Sequence, residues 1–255
     1  MTARGTRILI SASSFGDAAA ALDIVHQLSE QMIGQLGGVL IDEGSVNAAC
    51  QLPNQRVISA SGAVIMAPSP AQVRRLIKAD ARAFREMLAQ VARTPDTKWT
   101  FEQQSGDLIE CSINLGRAWD MVILGHRELH PVPGNVVFLG SPLAQADTAL
   151  DMAGTLARNL GTGLLVFSFS GAHAEGPRTR THQFADLVTA LSQLARANAQ
   201  VVVIDLTRGP VRTQDQLREV VEMARCPVVV LGAGSVHSAL GYSIHIPPVD
   251  DRQIG

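Results

Sequence analysis

Apolar residues come first as a short continuous run, residues 8–13, which ends in Ser13-Ser14-Phe15-Gly16 and reads as a buried strand. The period then lengthens. Leu22, Val25, Leu28, Met32 and Leu36 recur at intervals of three and four, the spacing of one helix face, and Gly37-Gly38 is read as the stop of that helix. Residues 39–41 form the next strand, closed by the acids Asp42 and Glu43. A stretch rich in Gly, Ser, Asn and Pro follows, with one short strand expected at 63–66. Pro70 opens a second helix whose apolar face is Val73, Leu76, Ile77, Phe84, Leu88 and Val91. Then come a strand at 99–103, a helix at 107–119 and a buried strand at 120–125 that ends in glycine.

From Gly134 the same order starts again. A strand at 136–139 leads through Gly140-Ser141-Pro142 to a helix carrying Leu150, Met152, Leu156 and Leu160, and then to a strand at 164–169. The remaining elements are a loop at 171–181, a helix at about 182–198, a strand at 201–206, a helix at 213–225 and a strand at 228–231 closed by Gly232. A last apolar run at 243–246 precedes Pro247-Pro248 and a polar end expected to fray. Strands alternating with helices call for a mostly parallel sheet covered on both faces, since each parallel connection needs a crossover. A repeat of about 125 residues is a domain duplication rather than a solenoid. The expected division is 1–132 and 133–255.

Composition narrows the classes. The chain has 255 residues, 46% hydrophobic and 17% charged, enough to bury a large core. Twenty-one basic against 23 acidic side chains give a net charge of -2, so no bulk field draws nucleic acid or an anionic membrane. No run reaches the roughly 18 apolar residues of a membrane span. Cys50, Cys111 and Cys226 are too scattered for a disulfide framework or a metal site, and the expected compartment is the reducing cytoplasm.

The strand-helix-strand opening over residues 7–44, the helix over 70–93, the close Trp119-Asp120-Met121-Val122-Ile123-Leu124-Gly125-His126 and the ending Ala224-Arg225-Cys226-Pro227 followed by apolar residues to Gly232 together resemble the universal stress protein family in its tandem form. That resemblance implies an α/β fold of two repeated, doubly wound, mostly parallel sheets of the adenine-nucleotide α-hydrolase-like kind, packed as a pseudo-dimer. It also implies a ligand edge at the carboxyl ends of the strands. Nucleotide-binding members carry an acid after the first strand and a glycine motif, G-x2-G-x9-G then Ser or Thr, whose amides cradle phosphates. Here the acid positions fall on Ser13 and Ser141, and the loops after Gly125 and Gly232 are shortened. Degenerate nucleotide sites follow from those departures.

The candidate ligand-edge residues are Ser13, Ser141, Gly125, His126, Arg127, Gly232, Gly234 and Ser235. Gly232-Ala233-Gly234-Ser235 offers bare amides and a hydroxyl for a phosphate, or is a tight turn that needs glycine dihedrals, the reading favoured here. His126, Arg127 and His130 could clamp an anion, against the blander reading of a solvated loop. Ser13-Ser14 and Ser141 lack a G-x-S-x-G elbow and are read as helix caps, as is Asp17. Asp42 and Glu43 could bind a metal or ribose hydroxyls, but a surface turn is preferred. Arg74, Lys78, Arg82 and Arg85 line one side of the second helix, suited to an acidic partner or simply to solvent. Arg178, Arg180 and His182 form a second basic spot in a mobile loop that could order on a ligand, with disordered linkage as the reading preferred. Cys111 and Cys226 are read as structural.

The expectation is a non-catalytic, stress-response type of regulatory or binding protein without a cofactor, acting through a protein partner or a small anionic ligand. The alternative is an ATP- or ADP-binding protein, a slow hydrolase at most, using Ser141 and the Gly232 turn. An enzyme on an unrelated doubly wound fold with His126 as acid or base is a third reading. The runs at 136–139 and 243–246 are taken as strands free to pair in a homodimer.

Overall fold

The computed structural model describes residues 5–28, 33–44, 56–58, 64–66, 69–92, 97–126, 134–142, 147–174 and 176–235. The strands are β1 (Thr6–Ala12), β2 (Ile33–Asp42), β3 (Arg56–Ile58), β4 (Val64–Met66), β5 (Lys98–Ser105), β6 (Met121–Leu124), β7 (Asn135–Leu139), β8 (Leu164–Ser168), β9 (Thr179–Gln183), β10 (Ala199–Asp205) and β11 (Val228–Leu231). The helices are α1 (Phe15–His26), α2 (Pro70–Val91), α3 (Leu108–Gly116), α4 (Thr148–Asn159), α5 (Leu187–Leu194) and α6 (Gln214–Ala224). Each starts at a side chain able to take a free amide: Ser14, Ser69, Asp107, Asp147, Asp186 and Thr213.

Nine strands form one sheet in the order β5-β2-β1-β6-β11-β10-β7-β8-β9, and β3 pairs with β4 alone. Numbered within its own part of the chain, the first set (β1, β2, β5, β6) has the order 3-2-1-4 and the second (β7 to β11) the order 3-2-1-4-5. The duplication expected from element order is thus present as two parallel arrays fused edge to edge into a single sheet. The fusion is the antiparallel pairing of β6 with β11, with Val228 opposite Leu124 and Leu231 opposite Met121. All other neighbours in the sheet run parallel. The first set has no fifth strand of its own beside β6, because β11 fills that position.

Side chains alternate between two cores. Ile8, Ile10, Met121, Ile123, Phe138, Val203 and Val229 face α1, α2 and α4, which contribute Leu22, Phe84 and Leu156. Leu9, Val122, Leu124, Leu139, Val202 and Val230 face α3, α5 and α6, which contribute Ile113, Leu194 and Val220. Burial on both faces is why the central strands read as unbroken apolar runs.

Several expected elements shift. The first helix ends at His26, and Leu36, Gly37 and Gly38 lie inside β2 rather than at a helix stop. Those glycines serve packing. A Cβ on Gly37 would stand 2.5 Å from Trp119 Cη2, and one on Gly38 would stand 2.9 Å from Leu88 Cδ2 and 3.0 Å from Phe84 Cζ. The segment holding Arg180 and His182 is the edge strand β9, parallel to β8, and not linkage or the start of a helix. Its polar side chains hid it. Residues 136–139 lie in β7, paired on both sides by β10 and β8, so that strand offers no edge for a homodimer. The run at 243–246 lies outside the described residues, as do Cys50, Arg127 and His130.

Candidate functional site

Doubly wound sheets hold ligands where the strand order reverses, at the carboxyl ends of the strands. Here the reversals fall between β1 and β6 and between β7 and β10. Because β6 and β11 are antiparallel, the two places open on opposite rims of the sheet. Ser13, Gly125 and His126 stand on one rim; Ser141, Gly232, Gly234 and Ser235 stand on the other.

On the first rim, Ser14 caps α1, its Oγ accepting from the Asp17 amide at 3.2 Å. The Asp17 carboxylate in turn accepts from the Ser14 hydroxyl at 2.6 Å and from the exposed Ser13 hydroxyl at 3.2 Å. A second acid arrives from α2, where Asp80 Oδ2 accepts the Phe15 amide at 3.1 Å. The positive end of α1 is therefore occupied by two carboxylates of the chain itself, in the place where a helix would present amides to a phosphate. The exit of β6 lies directly against this turn. Gly125 donates its amide to the Ser11 carbonyl at 2.7 Å, and a Cβ there would meet the Asp17 carbonyl oxygen at 2.5 Å. That contact closes the β1/β6 reversal at the level of Gly125. His126, half-buried, follows it.

On the second rim, the strand equivalent to β6 by position is β10, not β11. The loop matching the one after Gly125 is therefore the loop after Asp205, and Gly232 belongs to the additional strand beyond it. Asp205 Oδ1 accepts from the Thr207 amide at 2.8 Å and from its hydroxyl at 2.5 Å, while Gly209 donates to the Asp205 carbonyl at 2.7 Å. Gly232 has φ +70°, and a Cβ on it would stand 2.5 Å from Thr207 Cγ2 and 3.3 Å from Asp205 Oδ1. The Ser235 amide closes a short helical turn on the Gly232 carbonyl at 2.9 Å, with Ala233 buried and Gly234 and Ser235 exposed. Ser141 is half-buried beyond β7 on the same rim, separated from Gly232 by β10. The α4 amides of Ala149 and Leu150 are taken by Asp147, at 3.1 and 3.2 Å.

The pattern common to both rims was missed from sequence: Asp80, Asp147 and Asp205 each take amides that a phosphate would use. Asp205 ends an apolar strand just before Thr207-Arg208-Gly209-Pro210, and aligning β10 rather than β11 with β6 would have exposed it. Among the described residues, no three His, Cys, Asp or Glu side chains gather as a metal would need, Asp42 and Glu43 included. Burial, followed by the charges of Glu110 and Asp107, raises the Cys111 thiol above its ordinary value, and Cys226 is fully buried. Both fit structural roles.

No protein-family model matches the chain, and no curated protein sequence matches it. Solved structures do. A universal stress protein from Archaeoglobus fulgidus aligns over 91% of this chain and 98% of its own, with a TM-score of 0.47 and 11% identity. The cytoplasmic domain of a prokaryotic cation chloride cotransporter aligns over 90% and 96%, with a TM-score of 0.45 and 11% identity. A putative universal stress protein from Pseudomonas aeruginosa aligns over 89% and 94%, at 0.44 and 12%. Two of these three are named for the family that the sequence resembles. The doubly wound α/β fold itself is read directly from the strand order, and no helix among the described residues is long and apolar enough to cross a membrane.

Proposed function

We propose that the chain is a non-catalytic regulatory or binding protein of the universal-stress type, built from two repeated units whose nucleotide edges are degenerate. The supporting observation is the set of carboxylates at those edges. Asp17 and Asp80 sit at the start of α1, Asp147 at the start of α4, and Asp205 beside Gly232. A triphosphate approaching either edge meets fixed negative charge, and the amides it would need are already engaged.

Function then passes to a partner-binding surface. On α2, Arg74, Arg75, Lys78, Arg82 and Arg85 are exposed along one side, while Leu76, 60% exposed, lies on another side of the helix. A basic helix face suits an acidic protein surface. The direct test is native mass spectrometry of the full chain with and without Mg-ATP. No adduct is expected, and a stoichiometric adenine nucleotide would overturn the reading.

One observation favours the second reading, an ATP- or ADP-binding protein. Gly234 and Ser235 face solvent at the second rim, and a Cβ on Gly234 would meet nothing within 4 Å. Loss of a detected adduct in Gly234→Val would assign it to that turn.

A further inference from the structure

The nine-stranded sheet ends in β5 on one side and β9 on the other. β9 has five residues, and the loop before it is tied to it: the Ala174 amide donates to Thr181 Oγ1 at 3.2 Å and Gln183 Nε2 to the Ala172 carbonyl at 2.9 Å. β5 is different. Its eight residues pair, among the described residues, with β2 alone and without a break in register, and Lys98, Trp99, Thr100, Glu102 and Gln103 are exposed. The Gly106 amide, just beyond β5, donates to the Asp42 carbonyl of β2 at 3.1 Å. Alternation from that point turns the amides and carbonyls of Thr100, Glu102 and Gln104 toward β2 and those of Trp99, Phe101 and Gln103 outward. Outward backbone of this kind is a template for one more strand.

α2 lies above this edge and carries its charge on the same side. Phe101 faces the helix, with its ring centroid 5.3 Å from that of Phe84, so Trp99 and Gln103 lie on that face too. Asp80, bonded to the Phe15 amide, marks the side of α2 toward α1. At about 100° per residue, Arg74, Lys78, Arg82 and Arg85 fall about 120 to 200° around the helix from Asp80, away from α1 and toward the free edge. None of the four enters an ion pair among the described residues. The exposed acid Glu86 stands farther round, at about 240°, on the solvent side. From Arg74 to Arg85 the helix rises about 16 Å, the length of about five residues of extended chain.

The geometry points to a docking site for an extended acidic segment of another protein, added beside β5 as a tenth strand. Its main chain bonds to Trp99, Phe101 and Gln103, and its alternate carboxylates lie under the basic side of α2. The inference rests on the reading of α2 as a partner-binding face and names what that face takes. A second copy of the chain fits less well, because pairing β5 with β5 would set two basic helix sides against each other.

The test is titration of the full chain with an eight-residue peptide of alternating threonine and glutamate, followed by amide chemical shifts and hydrogen exchange. Saturable shifts and slowed exchange are expected at Trp99, Phe101 and Gln103, and no binding is expected for the counterpart with lysine in place of glutamate. Gln103→Pro removes one outward amide and leaves the ladder to β2 whole; Lys78→Glu combined with Arg82→Glu reverses the charge above the edge. Each variant, shown to be folded by its circular dichroism melt, should bind the glutamate peptide about tenfold more weakly. Absence of saturable shifts at β5, equal binding of the lysine peptide, or full affinity in Gln103→Pro would overturn the added strand. With full affinity in Gln103→Pro and shifts confined to α2, the helix face would still stand as an acidic-partner surface, whereas full affinity in the α2 double variant would sink that reading itself. A dimer in sedimentation whose β5 amides are protected without peptide would give the edge to a second copy and overturn the proposal as well.

Discussion

Asp80 reaches across from α2 to take the Phe15 amide, so the start of α1 depends on a residue 65 positions away. Asp80→Ala should cost about 1 kcal/mol in urea unfolding, the typical value of a helix cap, and loosen the α1–α2 contact. Asp107 makes a comparable long tie. It caps α3 through the Glu110 amide and accepts both ends of the Arg218 guanidinium from α6, at 2.7 and 3.1 Å. Partial burial works against the charged form of Asp107. The hydrogen bond from Arg218, the amides of Glu110 and Ile109 and the attraction of the Arg218 charge outweigh it and hold the carboxyl below its ordinary pKa. A group depressed in the folded state stabilises above its unfolded pKa and loses that contribution as pH falls through the folded value. Arg218→Gln should therefore destabilise the protein by about 0.5 kcal/mol at neutral pH, modest because both side chains are more than a third exposed. The difference should vanish in acid below the ordinary carboxylate range. A difference independent of pH would assign the loss to packing.

Elements were legible in the sequence wherever their ends carried turn chemistry. Pro70 after Ser69, with Gln72 closing a capping box, marks the start of α2, and Thr213 with Gln216 does the same for α6. β2 was legible only in its second half. Leu36 happens to continue the three-and-four spacing from Leu22, and Gly37-Gly38 imitates a helix stop, whereas the pair exists because Trp119 on one face and Phe84 with Leu88 on the other lie against bare backbone. Nothing local announces a partner more than 80 residues distant. β9 failed for the opposite reason: at the sheet edge its Thr, Arg and His side chains need no apolar alternation. At the ligand edges, Ser14 was visible as a cap, whereas Ser13 and Ser141, read the same way, are not caps of α1 and α4, whose caps are Ser14 and Asp147, and Asp80 and Asp205 become relevant only once α2 and β10 are placed. Gly37→Val tests the β2 account. It should lose about 1 to 3 kcal/mol by forcing Trp119 away and should shift the emission of that indole, with Trp119→Leu in the same chain recovering part of the loss.

The junction between the arrays is covered on both faces. On one, α3 meets α6 through the Asp107–Arg218 pair, and Gly116 packs on Ala233, where a Cβ would come within 3.0 Å. On the other, Asn159 at the end of α4 donates to the Gln27 carbonyl beyond α1 at 2.5 Å. Between them, β6 and β11 share a four-residue ladder whose side chains are nearly all buried. A sheet continuous through such a seam should melt as one unit. Both tryptophans, Trp99 and Trp119, lie in the first array. Their fluorescence should therefore follow the same thermal transition as the circular dichroism of the whole chain. Two separated midpoints would mean that the arrays unfold one at a time. Val229→Pro, which removes a ladder amide from β11, should lower the single midpoint sharply rather than split it.

The reversal of direction at that seam also sets what the molecule can hold at once. A guest seated where β1 and β6 emerge and another seated where β7 and β10 emerge would be kept apart by the depth of the slab, about 13 Å for four residues of strand. Neither could touch, displace or shield the other. One small ligand therefore cannot span the two reversals, and neither rim completes the other.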